Sequence, residues 1–135
     1  MEFGGDLVSR KEALSDAYRS RSVWVVGDDQ YLALPKTDTV DSWDEHLNHS
    51  CDANSWLGDE VTLLAKRDIE AGEEITLDQG TWNFDDTAYT DNQEPCFCGA
   101  TNCRHKLTEN DWKLREVQER YQDHFHPMIQ KMISN

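Results

Sequence analysis

The four cysteines of this 135-residue chain are the residues whose type and spacing indicate chemistry most clearly. Cys96, Cys98 and Cys103 lie within eight residues of one another, and Gly99 lies between them. Glycine permits the tight turn that lets such close side chains converge. Thiolates bind zinc in tetrahedral sites, and the remaining cysteine, Cys51, can supply the fourth corner. The sequence therefore predicts one structural zinc ion bound by all four thiolates.

Two other arrangements of these residues stay open at this point. The thiols could form two disulfides, although clustered cysteines in a reducing compartment more often hold metal. A three-cysteine zinc site could instead be closed by His105, because imidazole is also a common zinc ligand. In the all-thiolate site the neighbouring Arg104 would offset part of the negative charge of the four thiolates.

The charge of the chain favours basic partners. Asp and Glu number 27 against 13 Lys and Arg, which gives a formal net charge of -14. Such a surface repels phosphate backbones, so we expect no direct nucleic-acid binding. It attracts Lys- and Arg-rich peptides. The simpler explanation is that the acidic excess only keeps the protein in solution.

Length and hydropathy indicate the class of protein and its compartment. A chain of 135 residues with 37% hydrophobic and 30% charged residues suits one globular domain with large solvated loops. No stretch approaches the roughly 20 apolar residues that span a bilayer, and residues 1–6 lack a signal-peptide pattern. We expect a soluble, intracellular protein, cytoplasmic in a bacterium and nuclear in a eukaryote, with no membrane partner.

The first part of the chain predicts a helix and a hairpin. Ser9 and Glu12 have the spacing of a capping box, and an apolar stripe follows them, so we expect a helix over Ser9–Ser20. Residues 22–26 and 31–34 favour two strands joined by a glycine-containing turn.

The rest of the chain predicts short strands and a helical tail. Asp41–Gly58 has no regular period but carries two tryptophans, which favours a polar loop held against the core. Strands are predicted at Glu60–Ala65 and Glu74–Leu77. Apolar residues at helical spacing predict one helix from Thr108 to about Phe125.

Three segments, in this order, resemble the SET-domain protein lysine methyltransferases that carry a post-SET zinc motif. Residues 48–54 read NHSCDAN and are similar to the signature NHSCxPN, with Ala53 in place of proline. Residues 65–76 read AKRDIEAGEEIT and are similar to A-x-R-D-I-x-x-G-E-E-I-T. Residues 96–103 read CFCGATNC and have the CxCxxxxC pattern of the post-SET element. The resemblance covers roughly Asp41 to the end of the chain.

The resemblance implies a fold and a division of the chain. It implies a mainly β fold with some α-helix, made of short curved β-clip-like sheets around a pseudoknot and followed by a zinc-binding post-SET element and a C-terminal helix. The divisions are a SET domain over 1–95, the post-SET motif over 96–107 and a helical tail over 108–135. It also implies, independently of the residue count, that Cys51 completes the post-SET zinc site.

The resemblance further implies an activity, the transfer of a methyl group from S-adenosylmethionine to a lysine ε-amine of a basic, histone-tail-like protein or peptide. Asn48 and His49 match the positions that meet the cofactor in that family. The alternative is that they only hold their loop through Asx-type hydrogen bonds. His105 and Leu107, after the last cysteine, match the segment that covers the cofactor.

Two departures from the family pattern affect catalysis. Gln79 follows Asp78 where the family has its catalytic tyrosine, and glutamine has no phenol. Tyr89, in the acidic loop that follows, is a candidate substitute. The glycine-containing strand that lines the cofactor site in that family has no counterpart, so we expect an incomplete N-terminal part.

Two other hypotheses for the function therefore stay open. One is a catalytically impaired SET module that acts as a zinc-stabilised domain binding peptides or proteins. The other is a small zinc-binding interaction domain without any SET relation.

Overall fold

Small antiparallel sheets and short helices make up the chain. The computed structural model describes residues 1–37, 42–84 and 93–135. The strands are β1 (Asp6–Val8), β2 (Tyr18–Gly27), β3 (Gln30–Pro35), β4 (Ser55–Leu57), β5 (Leu63–Ala65), β6 (Gln93–Pro95) and β7 (Lys106–Thr108). The helices are α1 (Arg10–Ala13), α2 (Arg115–Arg120) and α3 (Pro127–Ser134). Within these ranges no helix has both the length and the apolar character needed to cross a bilayer. The expected mainly β fold with some α-helix is confirmed.

The N-terminal sheet has the strand order β1-β3-β2, and each neighbouring pair is antiparallel. The predicted hairpin is therefore confirmed. Gly5 has φ +125, and a Cβ at this position would lie 2.8 Å from the carbonyl oxygen of Ala33. Only glycine allows β1 to approach β3 this closely.

The predicted helix over Ser9–Ser20 is wrong beyond its first turn. The capping box is present: the Ser9 hydroxyl accepts from the Glu12 amide at 3.2 Å, and the Glu12 carboxylate accepts from the Ser9 amide at 2.9 Å. The Ser15 hydroxyl then donates to the Glu12 carbonyl at 2.6 Å, and such local bonds compete with helix continuation. Tyr18 enters β2, where it pairs with Pro35. Pairing with a distant strand therefore overrides the local helical pattern.

The middle of the chain contains one two-stranded sheet and a close crossing of two segments. β4 and β5 form an antiparallel pair. Of the strand predicted over Glu60–Ala65, only Leu63–Ala65 takes part in this pair, so the strand is shorter than expected. The predicted strand Glu74–Leu77 forms only an isolated parallel bridge between Thr76 and Asn48. This bridge lays the two segments side by side, as the predicted pseudoknot requires.

The tail does not form the single helix predicted from Thr108 to Phe125. Lys106–Thr108 instead pairs with β6, so that the cysteine segment lies between two paired strands. Helix α2 ends shortly before Asp123, whose φ is 60, and α3 begins at Pro127. Proline suits this first helical position because its missing amide would have no partner there. The division of the chain at residues 95 and 107 stays a prediction.

Two hydrophobic clusters include residues of the crossing segments, Leu77 in one cluster and Ala53 in the other. One contains Phe3, Trp24, Leu57, Leu63 and Leu77. The other joins Ala53 to the buried apolar residues of the tail, namely Val117, Tyr121, Phe125 and Ile129. The helical spacing thus identified Val117, Tyr121 and Phe125 as core residues, whereas Leu114, which has the same spacing, is exposed.

A polar anchor fixes the 3-10 turn Trp43–His46 to β2. The Glu45 carboxylate accepts hydrogen bonds from the Ser22 hydroxyl and, at 2.6 Å, from the Arg19 guanidinium. These two donors lower the pKa of Glu45 to about 2. The turn is therefore held by a carboxylate that remains ionised far into the acid range.

A buried ion cluster joins the tail to the middle of the chain. The Arg104 guanidinium donates two hydrogen bonds to the Asp78 carboxylate, at 2.7 and 2.8 Å, and a third to Asp111 at 3.1 Å. Asp78 is fully buried, and the Arg104 side chain is 6% exposed. Bidentate pairs of this kind fix orientation as well as charge.

We expect Glu45→Gln to reduce stability in a pH-dependent way. The folded-state pKa of Glu45 is lowered from 4.5 to about 2, so its contribution is present above pH 4.5 and is lost as the pH falls towards 2. The variant should lose about 1 kcal/mol of unfolding free energy at pH 7, as for other part-exposed ion pairs. Urea unfolding at pH 7, 4.5 and 3 should show this difference narrowing with acid. Glu119→Gln, at an exposed pair with Arg115, should match the wild type throughout, and a constant difference for Glu45→Gln would contradict the assignment.

We expect Arg104→Met to destabilise the protein by roughly 3 to 5 kcal/mol, because it leaves the buried Asp78 charge without its partner. The measurement is the urea midpoint at pH 7. The matched control is Arg115→Met, since Arg115 is 91% exposed and its pair should contribute less than about 1 kcal/mol. Equal midpoints for the two variants would show that the buried pair does not hold the tail.

Candidate functional site

The structure brings Cys51 together with the cysteines of residues 96–103, which are distant from it in the sequence. The Cys51 and Cys96 sulfurs lie 3.8 Å apart, and the Cys51 amide donates to the Cys98 sulfur at 3.5 Å. The Cys103 thiol interacts with those of Cys96 and Cys98 and lies 3.5 Å from the Cys96 carbonyl oxygen. Cys51 is fully buried and Cys96 is 5% exposed. All four cysteines are free thiols, so the two-disulfide alternative is not what the structure shows.

His49 is an unexpected member of this cluster. The ligand atoms of His49, Cys51, Cys96 and Cys98 all lie within 4.8 Å of one another, and Cys103 lies beside this group. The position of His49, two residues before Cys51, was the sequence signal for this contact. The resemblance to the family, however, indicated only a cofactor-binding role for His49. The ligand group among the described residues thus contains His49 and three of the four predicted cysteines, and it does not include Cys103.

The hydrogen bonds of His49 determine which of its nitrogens carries a proton. Its Nδ1 accepts from the Gln79 backbone amide at 3.0 Å, and its Nε2 lies 3.3 Å from the Cys51 sulfur. A backbone amide can only donate, so in the neutral ring the proton is on Nε2 and points to the sulfur. Burial lowers the pKa of His49, which favours this neutral form. In this state Nε2 is a donor to Cys51 rather than a free metal ligand.

The thiols differ in their tendency to ionise. Burial raises the pKa of the Cys51 and Cys96 thiols above the usual range. Burial also acts to raise the pKa of Cys98, but hydrogen bonds from the Cys51 and Ala100 amides and from the neighbouring thiols lower it to about 6. Cys98 is therefore a thiolate at neutral pH, and the thiolate is the form that binds metal.

The two residues after the last cysteine have different environments. The His105 carbonyl accepts from the Cys96 amide at 2.9 Å, while its own amide faces the Cys103 sulfur at 3.4 Å. The residue is exposed and has φ 62, and its ring is not part of the ligand group found among the described residues. Leu107 is 4% exposed and packs against Cys51 and Cys96.

Hydrogen bonds explain the residue types at two other positions of residues 48–54, the NHSC segment. The Asn54 side chain donates to the Glu74 carbonyl at 2.7 Å and accepts from the Thr76 amide at 2.9 Å. Ala53, where the family signature has proline, uses its amide to donate to the Tyr121 hydroxyl at 3.2 Å. Proline has no amide hydrogen, so alanine gives this chain a bond between the segment and its tail.

His49 also lines a small pocket. Its volume is about 120 Å³, and its walls are formed by Phe3, Trp24, Asp44, Leu47, Asn48, His49, Leu77, Gln79 and Trp82. Three predicted site residues, Asn48, His49 and Gln79, are therefore brought together. The Asn48 carbonyl accepts from the Leu77 amide at 3.1 Å. Tyr89 lies outside the described residues.

Comparison with known proteins supports the resemblance. The family model of the SET domain matches residues 5–80, more than half of the chain. A SET domain-containing protein of Phaeosphaeria nodorum is 40% identical over 65 residues, which cover 44% of this chain and 10% of that protein. An H3 lysine-36 specific histone-lysine N-methyltransferase of Debaryomyces hansenii is 38% identical over 85 residues, which cover 54% of this chain and 11% of that protein.

A probable histone-lysine N-methyltransferase of Caenorhabditis briggsae is 39% identical over 69 residues, which cover 45% of this chain and 27% of that protein. The matched regions thus span between about a tenth and a quarter of these relatives. The match of the family model and the geometry of the NHSC segment lead to the same conclusion: this chain belongs to the SET domain family.

Proposed function

We propose that this chain is a SET-domain protein-lysine N-methyltransferase that transfers a methyl group from S-adenosylmethionine to the ε-amine of a lysine. The observation that carries the proposal is the convergence of Asn48, His49 and Gln79 on one aromatic-walled pocket. These residues come from the two segments whose sequences resemble the family most strongly. Family membership and the names of the relatives agree with this activity.

The chain itself would position the reactants. S-adenosylmethionine supplies an activated methyl group when it is bound, so alignment of the lysine amine is the main requirement. Asn48 and His49 would hold the cofactor, and His105 would cover it from the exposed post-SET loop. The buried walls would lower the pKa of an entering lysine, because a charged amine is disfavoured where water is excluded. Leu107 would act indirectly, since it packs on the cysteines.

We assign one structural zinc ion to Cys51, Cys96, Cys98 and Cys103, with His49 as a supporting donor. Three of these thiols belong to the compact ligand group, and Cys103 interacts with two of them. His49 is less suited as the fourth ligand because its Nε2 carries the proton when Nδ1 accepts from Gln79. The Arg104 amide, 3.4 Å from the Cys51 sulfur, is a second donor to the thiolate.

The substrate class follows from charge and from the relatives. A net charge of -14 favours a basic protein or peptide. Relatives are named as specific for lysine 36 of histone H3, so a histone tail is the first substrate to test. In a eukaryote this function would place the protein in the nucleus.

A second candidate function is a catalytically impaired SET module that binds peptides. Gln79 favours it, because this residue lines the pocket at the position of the family tyrosine and cannot supply a phenol. Its backbone amide already donates a hydrogen bond to His49. Its side chain alone would have to orient the amine.

The zinc assignment predicts about one zinc ion per chain by elemental analysis. Cys103→Ser should lose stoichiometric zinc because it removes a ligand. His49→Gln should keep one zinc at saturation but bind it roughly 10- to 100-fold more weakly, as is usual for a supporting donor. The measurement is competition with a chelator. Full retention by Cys103→Ser together with loss by His49→Gln would instead make His49 the fourth ligand.

The activity predicts methyl incorporation from labelled S-adenosylmethionine into a histone mixture. Gln79→Tyr should raise the rate at least about tenfold, because a positioned hydroxyl contributes strongly to proton transfer and orientation. Gln79→Phe is the matched control, since it supplies the ring without the hydroxyl, and it should not exceed the wild type. No incorporation by the wild type or by Gln79→Tyr, in protein that binds histone peptides, would favour the binding module.

A further inference from the structure

The carbonyl oxygen of Cys51 accepts hydrogen bonds from two distant segments of the chain. The Asn102 side chain, from the cysteine segment, donates to it at 2.9 Å, and the Arg120 guanidinium of helix α2 donates at 3.1 Å. The Tyr121 hydroxyl, at the end of the same helix, donates to this oxygen at 3.4 Å. A carbonyl oxygen has two lone pairs, so three donors saturate it. The peptide group of Cys51 is therefore oriented by side chains that are 51 to 70 residues away in the sequence.

The Tyr121 hydroxyl connects two peptide groups. It accepts from the Ala53 amide at 3.2 Å and donates to the Cys51 carbonyl. A phenol can accept and donate at once, and it keeps its proton at neutral pH. Ala53 supplies the amide that the proline of the family signature lacks. The hydroxyl thus spans the turn that carries Cys51.

The other amides of this turn are also bonded. The Cys51 amide donates to the Cys98 sulfur at 3.5 Å, and the Asp52 amide donates to the Ser50 hydroxyl at 3.1 Å. Ala53 and Tyr121 are both buried, at 3% and 0% exposure. Removal of the hydroxyl would therefore leave the Ala53 amide buried without a partner, which is unfavourable.

Tyr121 is itself held firmly by the tail. Its amide donates to the Val117 carbonyl at 3.1 Å, and its ring belongs to the buried cluster of the tail. The Lys66 ammonium lies 5.4 Å from the centroid of the ring. Because the ring is fixed, its hydroxyl transmits the position of the tail to the peptide group of Cys51.

We propose that Tyr121, together with Arg120, is a positioning residue of the metal site, which orients the ligand Cys51 through its carbonyl oxygen. Neither residue would bind the metal itself. The inference rests on the zinc assignment made with the proposed function, and it does not depend on methyl transfer. It makes the strength and the geometry of metal binding depend on the tail of the chain, which lies outside both cysteine-containing segments.

Tyr121→Phe in the full chain tests the proposal, because it removes the hydroxyl and keeps the ring. Zinc affinity, measured by competition with a chelator, should fall roughly 10- to 100-fold, as is usual for partners of metal ligands. Loss of fold stability alone also weakens binding, so a second measurement is made on protein saturated with Co²⁺. Its ligand-field absorption bands report the geometry around the ion and should shift in Tyr121→Phe. A residue that only stabilises the fold leaves the bands of the saturated protein unchanged.

The matched control for the loss of a phenol hydroxyl is Tyr18→Phe. The Tyr18 hydroxyl donates to the Asp6 carboxylate at 3.2 Å in an exposed position, so this variant should match the wild type in zinc affinity and in the cobalt spectrum. Equal changes in Tyr18→Phe and Tyr121→Phe would overturn the proposal.

Arg120→Met is a second variant, which decides the question if Tyr121→Phe does not fold. It removes another donor to the Cys51 carbonyl, so it should weaken zinc binding and shift the cobalt bands. Arg115→Met is its control, because this residue of the same helix is 91% exposed and its loss changes the net charge equally. Wild-type affinity and spectrum in either folded variant, Tyr121→Phe or Arg120→Met, would overturn the proposal.

The wild-type cobalt spectrum separates this proposal from the zinc assignment. Absence of thiolate-to-cobalt charge-transfer absorption in the wild type would overturn both. Charge-transfer absorption in the wild type, with ligand-field bands that Tyr121→Phe leaves unchanged, would overturn only the positioning role.

Discussion

The bidentate ion pair between Asp78 and Arg104 is the interaction on which the arrangement of the site depends. Asp78 lies between Leu77 and Gln79, two residues that line the pocket. Arg104 follows the last cysteine directly, and its backbone amide faces the Cys51 sulfur. One buried pair therefore joins the pocket to the cysteine cluster. Because an unpaired buried charge is strongly destabilising, loss of either partner would weaken both parts of the site.

His49 gives the site its second connection. One ring nitrogen accepts from the Gln79 amide at the pocket, and the other faces the Cys51 sulfur. Asn54 and Ala53 hold the same segment against Thr76 and Tyr121. The short NHSC segment is thus bonded on every side to parts of the chain that are distant in sequence. A metal ion at the cysteines would stabilise the pocket through these contacts, since binding to the folded state alone adds to its stability.

The pocket combines features that suit recognition and features that suit catalysis. Aromatic walls favour a cationic side chain. The segment around Asn48 and His49 is the one that meets a methyl donor in the family. Gln79 lines the same pocket. Differential stabilisation of the transition state, rather than tight binding, determines the rate of an enzyme. In the proposed function, the identity of this one side chain would affect turnover more than it would affect the affinity for lysine.

Some features of this protein followed from the sequence because they depend on neighbouring residues or on residue types. The capping box at Ser9, the β2–β3 hairpin and the clustering of Cys51 with Cys96 and Cys98 are of this kind, and the motifs that identify the family are short. The lengths of the helices did not follow, because Tyr18 and Lys106 pair with strands whose positions no local pattern reveals. The contacts of His49 with the Gln79 amide and of Ala53 with Tyr121 arise where distant segments cross. Only the tertiary structure decides such contacts, since they depend on which surfaces remain buried after the whole chain has packed.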